Sequence, residues 1–334
     1  MNIADLHELL RAHGAGPAHT RRALRAWLQG KPLDAGHAQP RDFFPARFLG
    51  ALPVLHAAME ALAHVRSVHP ADDGSSRLLI GLADGQSVES VLLPREGVCV
   101  STQVGCAVGC TFCMTGREGL KRHLGSAEIL AQVALARTRH PVRKVVFMGM
   151  GEPAHNLDNV LEAIQTLGTD GGVPHKNLVF STVGDRRAFE RLPLGVVKPA
   201  LALSLHTTKA DLRTELLPRA PRIAPDELVS LADDYSRATG YPVQYQWTLL
   251  EGINDGDDEV DAIARLLAGH YAVMNLIPFN TLPDSPYRRP AMERAAAMVR
   301  ALHRRGVLAK LRYSAGQNVD GGCGQLRARV LAAT

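Results

Sequence analysis

The chain has 334 residues, a hydrophobic fraction of 46% and a formal net charge of +5, enough for one large globular domain with a small appendage. Five cysteines in a chain this long do not make a disulfide framework, and no stretch is long and apolar enough to cross a membrane. The opening Met1-Asn2-Ile3-Ala4-Asp5 is polar and no apolar run follows it, so no signal peptide is expected and the cytoplasm is the expected compartment. The mild basic excess is weak evidence for a nucleic-acid partner. Basic residues gather at Arg21-Arg22-x-x-Arg25, Lys121-Arg122-His123, Arg219-x-x-Arg222, Arg288-Arg289 and Arg304-Arg305. For any one cluster a solvated helix face is the better reading.

Residues 1–35 read as short helices around a Gly14-Ala15-Gly16-Pro17 turn, with Leu6, Leu9, Leu10 and then Leu24, Trp27, Leu28 at helical spacing. They form either a small accessory domain whose Arg21, Arg22 and Arg25 touch RNA phosphates, or a helical cap. Residues 31–47 read as a linker and 51–66 as a further helix. Arg77–Leu82 and Ser87–Leu93 read as two strands around the turn Ala83-Asp84-Gly85, with Glu89 in mid-strand. From Val98 onward strands (98–103, 143–149, 177–182, 199–205, 243–249, 272–278, and a further one near 309–313) alternate with helices (126–139, 157–168, 186–192, 225–239, 257–269, 290–306). This is an α/β pattern of six units, a partial parallel barrel whose site belongs at the C-terminal strand ends. The expected segments are 1–45 (helices and linker), 46–97 (helix and hairpin) and 98–334 (barrel and C-terminal loop).

Four of the five cysteines fall between residues 99 and 113: Cys99, then Cys106, Cys110 and Cys113 spaced C-x3-C-x2-C. Thiolates are the ligands of iron–sulfur clusters, and three of them leave one iron of a four-iron cluster open to a small molecule. A zinc site with His123 as fourth ligand, or a disulfide pair, are the alternatives. Other polar groups cluster at strand ends: Gly149-Met150-Gly151-Glu152-Pro153, Ser181-Thr182, Ser204-Leu205-His206 and Asn280. On its own each would be an unremarkable turn or a structural histidine. Cys323, between Gly322 and Gly324, reads either as a packed free cysteine or as a mobile, exposed thiol.

The loop, with Phe112 before its third cysteine, resembles that of radical S-adenosylmethionine enzymes. Cys99–Cys113 more narrowly resembles the RlmN/Cfr group of radical SAM RNA methyltransferases, and the resemblance runs from about Arg77 to the C-terminus. It implies a partial (β/α)6 radical SAM barrel with a small N-terminal helical accessory domain. It implies a [4Fe-4S] cluster on Cys106, Cys110 and Cys113. It implies S-adenosylmethionine held by Gly151, Glu152, Ser181, Ser204, Leu205, His206 and Asn280. By the same resemblance Cys323 accepts a methyl group, a 5′-deoxyadenosyl radical activates it, and the carbon is joined to an adenine ring carbon of RNA (rRNA and/or tRNA). Glu89 is then the proton acceptor, and Cys99 releases the product through a transient disulfide with Cys323. An external electron donor, no membrane partner and a monomer complete the expectation.

The surrounding loops depart from the family: Asn318-Val319-Asp320-Gly321-Gly322 replaces a usual Asp-Ile-x-Ala-Ala run, and Val183-Gly184-Asp185 stands where Ser-Gly is usual. The stretch from Thr207 to Arg222 also differs. Chemistry residues are kept while loops change, which points to a divergent branch and leaves the RNA target open. Two other readings compete: a radical SAM enzyme acting on a non-RNA substrate, and an RNA-binding protein with a structural metal site. A methylthiotransferase is disfavoured, since a second cluster needs three more cysteines and two remain.

Overall fold

A computed structural model describes residues 1–36 and 38–328. His37 of the expected linker and residues 329–334 of the expected barrel segment lie outside the described residues. The chain opens with α1 (Ile3–Ala12), α2 (Pro17–Leu28), a short α3 (Ala46–Gly50) and α4 (Leu52–Leu62). Asn2 starts α1: its side chain accepts from Asp5 N at 2.9 Å while the Asp5 carboxylate accepts from Asn2 N at 2.8 Å. The apolar faces of both helices, with Leu6, Leu10, Leu24 and Leu28, join the main core. They lie on α5 (Ser126–Arg137), where Ile3 N donates to Ser126 Oγ at 2.8 Å and Arg137 Nη1 donates to Leu28 O at 2.7 Å. Arg25 pairs with Asp170 at 2.8 Å and the Arg22 guanidinium lies 3.9 Å from the Phe43 ring centre.

The helix expected over 51–66 stops at Leu62. From Ala63 to Pro70 the chain is strand β1, whose burial alternates residue by residue. A period of two prevails because this stretch forms the edge of a sheet, with one face covered and one in solvent. β1 pairs antiparallel with β2 (Ser76–Leu82), which forms the expected hairpin with β3 (Ser87–Leu93). β4 (Gly97–Cys99) follows, and the strand expected to run to 103 ends there in the large sheet. Beyond it Ser101 N donates to Gln132 Oε1 and Thr102 N to Met150 O, both at 2.8 Å, which draws the chain out of the ladder. β5 (Gln103–Gly105) and β6 (Leu120–His123) then form a separate ribbon that the residue pattern did not announce.

The remaining strands are β7 (Lys144–Phe147), β8 (Leu178–Thr182), β9 (Ala200–Ser204), β10 (Val243–Leu249), β11 (Ala272–Pro278) and β12 (Ala309–Leu311). Between them run α6 (Leu157–Thr169), α7 (Arg186–Arg191), α8 (Ala210–Leu216), α9 (Pro225–Thr239), α10 (Asp257–Leu266) and α11 (Met292–Arg304). The short α8 was not expected. The sheet order is β1-β2-β3-β4-β7-β8-β9-β10-β11-β12, antiparallel as far as β4 and parallel from β4 to β12. Its central strands are almost continuously apolar, as strands covered on both faces must be. The C-terminal segment bridges the two ends of this sheet. Gly316 N donates to Asp73 Oδ2 at 3.0 Å, and Arg327 N donates to Glu89 Oε2 at 2.8 Å. No helix of the described residues is long and apolar enough to cross a membrane.

α5 is buried on nearly every side and carries Gln132, whose side chain is the polar centre of this region. Its Oε1 accepts from Ser90 Oγ and Ser101 N at 2.8 Å, and its Nε2 donates to Ser101 O at 2.9 Å. Gln132→Leu leaves both backbone groups of Ser101 without these partners in the core. Unfolding free energy from urea titration is expected to fall by roughly 2 kcal/mol or more.

Candidate active site

Three thiols come together because the loop that carries them is pinned at both ends. Cys106 N donates to Gly119 O at 3.1 Å as the β5–β6 ribbon closes, and Cys113 N donates to Cys110 O at 3.0 Å in a turn. Gly105 has φ 77°, and a Cβ there would lie 2.0 Å from Gly119 O, so no other residue lets the ribbon close. Val108, Phe112 and Met114 pack with Val183, Leu216, Leu217, Leu250, Phe279 and Leu282 in a small apolar cluster apart from the main core. Cys106, Cys110 and Cys113 face a cavity of about 160 Å³. Burial pushes the Cys106 thiol up to about 12 and raises Cys110 and Cys113 as well. Such thiols lose their protons when a positively charged metal centre takes their place as the counter-charge.

The opposite wall of this cavity is made of strand ends. Gly151 (φ 105°) turns so tightly that a Cβ would lie 2.7 Å from Gln103 Cβ. Glu152 follows, 4% exposed, its carboxylate accepting from Ala154 N and Val183 N, both at 3.0 Å. Burial raises it to about 7, against the pull of Thr182 and these two N–H groups. Ser181, Ser204 and His206 line the same space. His206 has φ 63°, and its Nδ1 accepts from Thr248 N at 3.0 Å, so the neutral ring carries its proton on Nε2. Burial and the nearby Arg213 lower it to about 3, and its ring meets the edge of Phe112 at 4.8 Å. Leu205, by contrast, is fully buried in the core and does not line the cavity.

Cys323 is exposed and lies on the walls of two cavities: the one just described and a second of about 510 Å³ that also holds Cys99. Met114 N donates to Gly324 O at 2.7 Å, which sets Cys323 against the three-thiol loop. Burial keeps the Cys99 thiol well above its usual range, with the neighbouring Cys323 adding to the effect. Asn280 does not line the first cavity. Its Nδ2 donates to Cys323 O at 2.9 Å and Ser314 Oγ at 3.0 Å, and its Oδ1 accepts from Arg289 Nη2 at 3.2 Å. Glu89 lines neither cavity. It is fully buried and paired with Arg77, and burial pushes its carboxyl up while the guanidinium opposes that.

Several residues the sequence did not single out hold this arrangement. Gln103 Oε1 accepts from Glu152 N at 2.8 Å, and Asn254 Nδ2 donates to His206 O at 2.7 Å. Arg213 of α8 is 4% exposed and donates to Val183 O and Ser204 O, with burial lowering it to about 10. Its Nε has no partner among the described residues. Only the helical spacing of Leu212, Leu216 and Leu217 around it signalled α8, and nothing signalled a buried cation. The donor set suits an iron–sulfur cluster beside a small polar ligand: three thiols, a carboxylate for an ammonium group and hydroxyls for a ribose or carboxylate.

Residues 100–267 match the model of the Radical SAM superfamily. The chain is 69% identical over 332 residues to a probable RNA methyltransferase of Aromatoleum aromaticum, covering 99% of this chain and 94% of that one. It is 68% identical to a probable RNA methyltransferase of Leptothrix cholodnii, covering 99% and 96%. A radical SAM methyltransferase of Sphaerobacter thermophilus superposes with a TM-score of 0.84 at 32% identity, over 98% of each chain.

The raised Glu152 sets a pH dependence. Between 4.5, its ordinary value, and about 7 the folded chain binds the extra proton and the unfolded chain does not, so stability falls as pH rises through this window. The loss is about 3 kcal/mol. In cluster-free protein, Glu152→Gln removes it: the drop in urea stability across this window is smaller than in wild type by that amount.

Proposed function

Because the chain belongs to the radical SAM superfamily, and within it to a group of RNA methyltransferases that use a [4Fe-4S] cluster and S-adenosylmethionine, we propose that it methylates an adenine ring carbon in RNA through Cys323. One observation carries this reading: Cys323 sits on the wall shared by the three-thiol cavity and the Cys99 cavity. A thiol that takes a methyl group on one side and hands a carbon to a base on the other must occupy such a boundary.

Cys106, Cys110 and Cys113 hold the cluster. When bound, the cluster supplies the one-electron chemistry that an aromatic carbon requires and ordinary methyl transfer lacks. Glu152 takes the ammonium group of S-adenosylmethionine, with Gly151 giving it room. Ser181, Ser204 and His206 face its remaining polar groups, His206 as an Nε2–H donor. Leu205 and Asn280 back this wall, and Asn280 holds the peptide of Cys323. The small apolar cluster around Phe112 keeps water from the reacting atoms.

Cys323 receives the methyl group as a thioether; the radical that cleaved S-adenosylmethionine would supply takes one hydrogen atom from that methyl, the carbon bonds to the adenine ring of rRNA or tRNA, and the ring then gives up one proton and one electron, the electron passing to the external electron carrier. Glu89 takes the ring proton. This role requires the segment at Arg327 to release the carboxylate it now holds, since Glu89 lines neither cavity. Cys99, as its thiolate, then attacks the Cys323 sulfur; the S–C bond breaks with its electron pair on the departing carbon, which takes up a proton to become the product methyl group, and a Cys99–Cys323 disulfide is left behind.

With methyl-labelled S-adenosylmethionine, anaerobically reconstituted protein is expected to carry label on Cys323, and Cys323→Ala to carry none there. Label that then moves to added rRNA or tRNA supports the route. Release of 5′-deoxyadenosine without label on Cys323 would overturn it. Cys99→Ala is expected to stop after the carbon–carbon bond, so a protein–RNA adduct accumulates on denaturing gels.

A further inference from the structure

The second cavity is longer than the chemistry at Cys323 needs. Lys144, Val146 and Met148 all line it, on one face of the β7 segment, so its wall runs about 13 Å from the thiol end. Its far end is cationic. Lys144 and Arg312 line it, Arg95 stands at the rim, and Lys310 is close enough to Lys144 to act on its charge.

Four cations of the clusters that stand out in the sequence are held by partners of the fold, whereas the cavity cations share one concave wall. Arg25, Arg122, Arg289 and Arg305 are engaged within the fold, by Asp170, Glu128, Gln317 and Asp261 respectively. Arg95, Lys144, Lys310 and Arg312 have no side-chain hydrogen bond or ion pair among the described residues. The acid on the same wall, Asp73, is bonded to Ser75 and to Gly316 N. Lys144 is half-buried, and desolvation with Arg312 and Lys310 beside it lowers its proton affinity. Uncompensated like charges around a half-buried ammonium oppose folding, and an anion relieves them. At the same rim Tyr313 is 57% exposed, a ring on which a base can stack.

We propose that this end of the cavity is a phosphate subsite: Lys144 and Arg312, with Arg95 and Lys310 at the rim, hold the backbone phosphate of the nucleotide whose base reaches Cys323. The proposal rests on the reading of the chain as an RNA methyltransferase acting through Cys323. The RNA strand then approaches through the gap between the β3–β4 turn and the end of β12, on the side away from the three-thiol loop. The extruded nucleotide lies along the cavity, its base at the strand C-termini.

The test is binding of a labelled short adenine-containing hairpin RNA, by anisotropy over a range of salt, to reconstituted full-length protein. Wild type is compared with Lys144→Gln, Arg312→Gln, the double variant and Arg304→Gln, a cation on the last turn of α11 that does not line the cavity. Each of the first two is expected to weaken binding about tenfold and to flatten the slope of log Kd against log salt by about 0.7. The double variant adds the two effects, and Arg304→Gln changes neither. Methylation of Cys323 from labelled S-adenosylmethionine, followed in the same samples, reports an intact first cavity. Unchanged slopes in the Lys144 and Arg312 variants, or an equal loss in Arg304→Gln, overturn the subsite. Absence of Cys323 methylation in wild type would instead overturn the functional reading, while the salt slopes still decide the subsite.

Discussion

Two hydrogen bonds join the ends of the barrel segment: Met114 N to Gly324 O and Thr115 Oγ1 to Leu326 O, each at 2.7 Å. They clamp the C-terminal loop onto the last turn of the three-thiol loop, across more than 200 positions of sequence. They help to place Cys323 beside both the thiols and Cys99. The clamp is reinforced where the same loop meets the first hairpin, through Asp73 and Glu89, and where Asn280 holds the Cys323 peptide. The thiol itself remains exposed while its backbone is held.

Charge is buried at several points around this clamp, and each burial has a partner that limits its cost. Glu89 lies against Arg77, Arg213 against two backbone carbonyls, and Glu152 against two backbone N–H groups. Removing one member of such a set leaves the other unsolvated in a low dielectric, so these groups constrain the geometry more than they add net stability. Glu152 is the most telling. Burial is what raises its proton affinity, although two backbone N–H groups oppose it and the Arg213 cation is near enough to feel its charge. Lys144, on the wall of the second cavity, shows the opposite sign: burial, with Arg312 and Lys310 nearby, lowers its proton affinity.

Much of the architecture was legible before any coordinates. Periods of apolar residues located the parallel strands and the long helices, because a strand covered on both faces must be apolar throughout. The three-thiol spacing and the polar strand ends were legible for a similar reason: their residue types are unusual at those places in a barrel. Elements decided by partners distant in sequence were not. The run after Leu62 pairs as a strand because β2 offers an edge, and the β5–β6 ribbon exists because Gly105 allows close approach to Gly119. Gln103, Gln132, Asn254 and Arg213 look like ordinary polar residues, and their roles depend on which backbone groups the fold leaves unpaired beside them.

The sequence by itself determined the barrel, the family and the three-thiol spacing, because these depend on local periodicity and on residue types whose chemistry few others share. Only the tertiary structure decided which groups face a cavity. It removed Leu205, Asn280 and Glu89 from the cavity walls and brought Lys144 and Arg312 to one of them. The physical reason is that facing a cavity is a property of packing: it depends on how a curled sheet and a returning C-terminal loop enclose space, which no local pattern encodes.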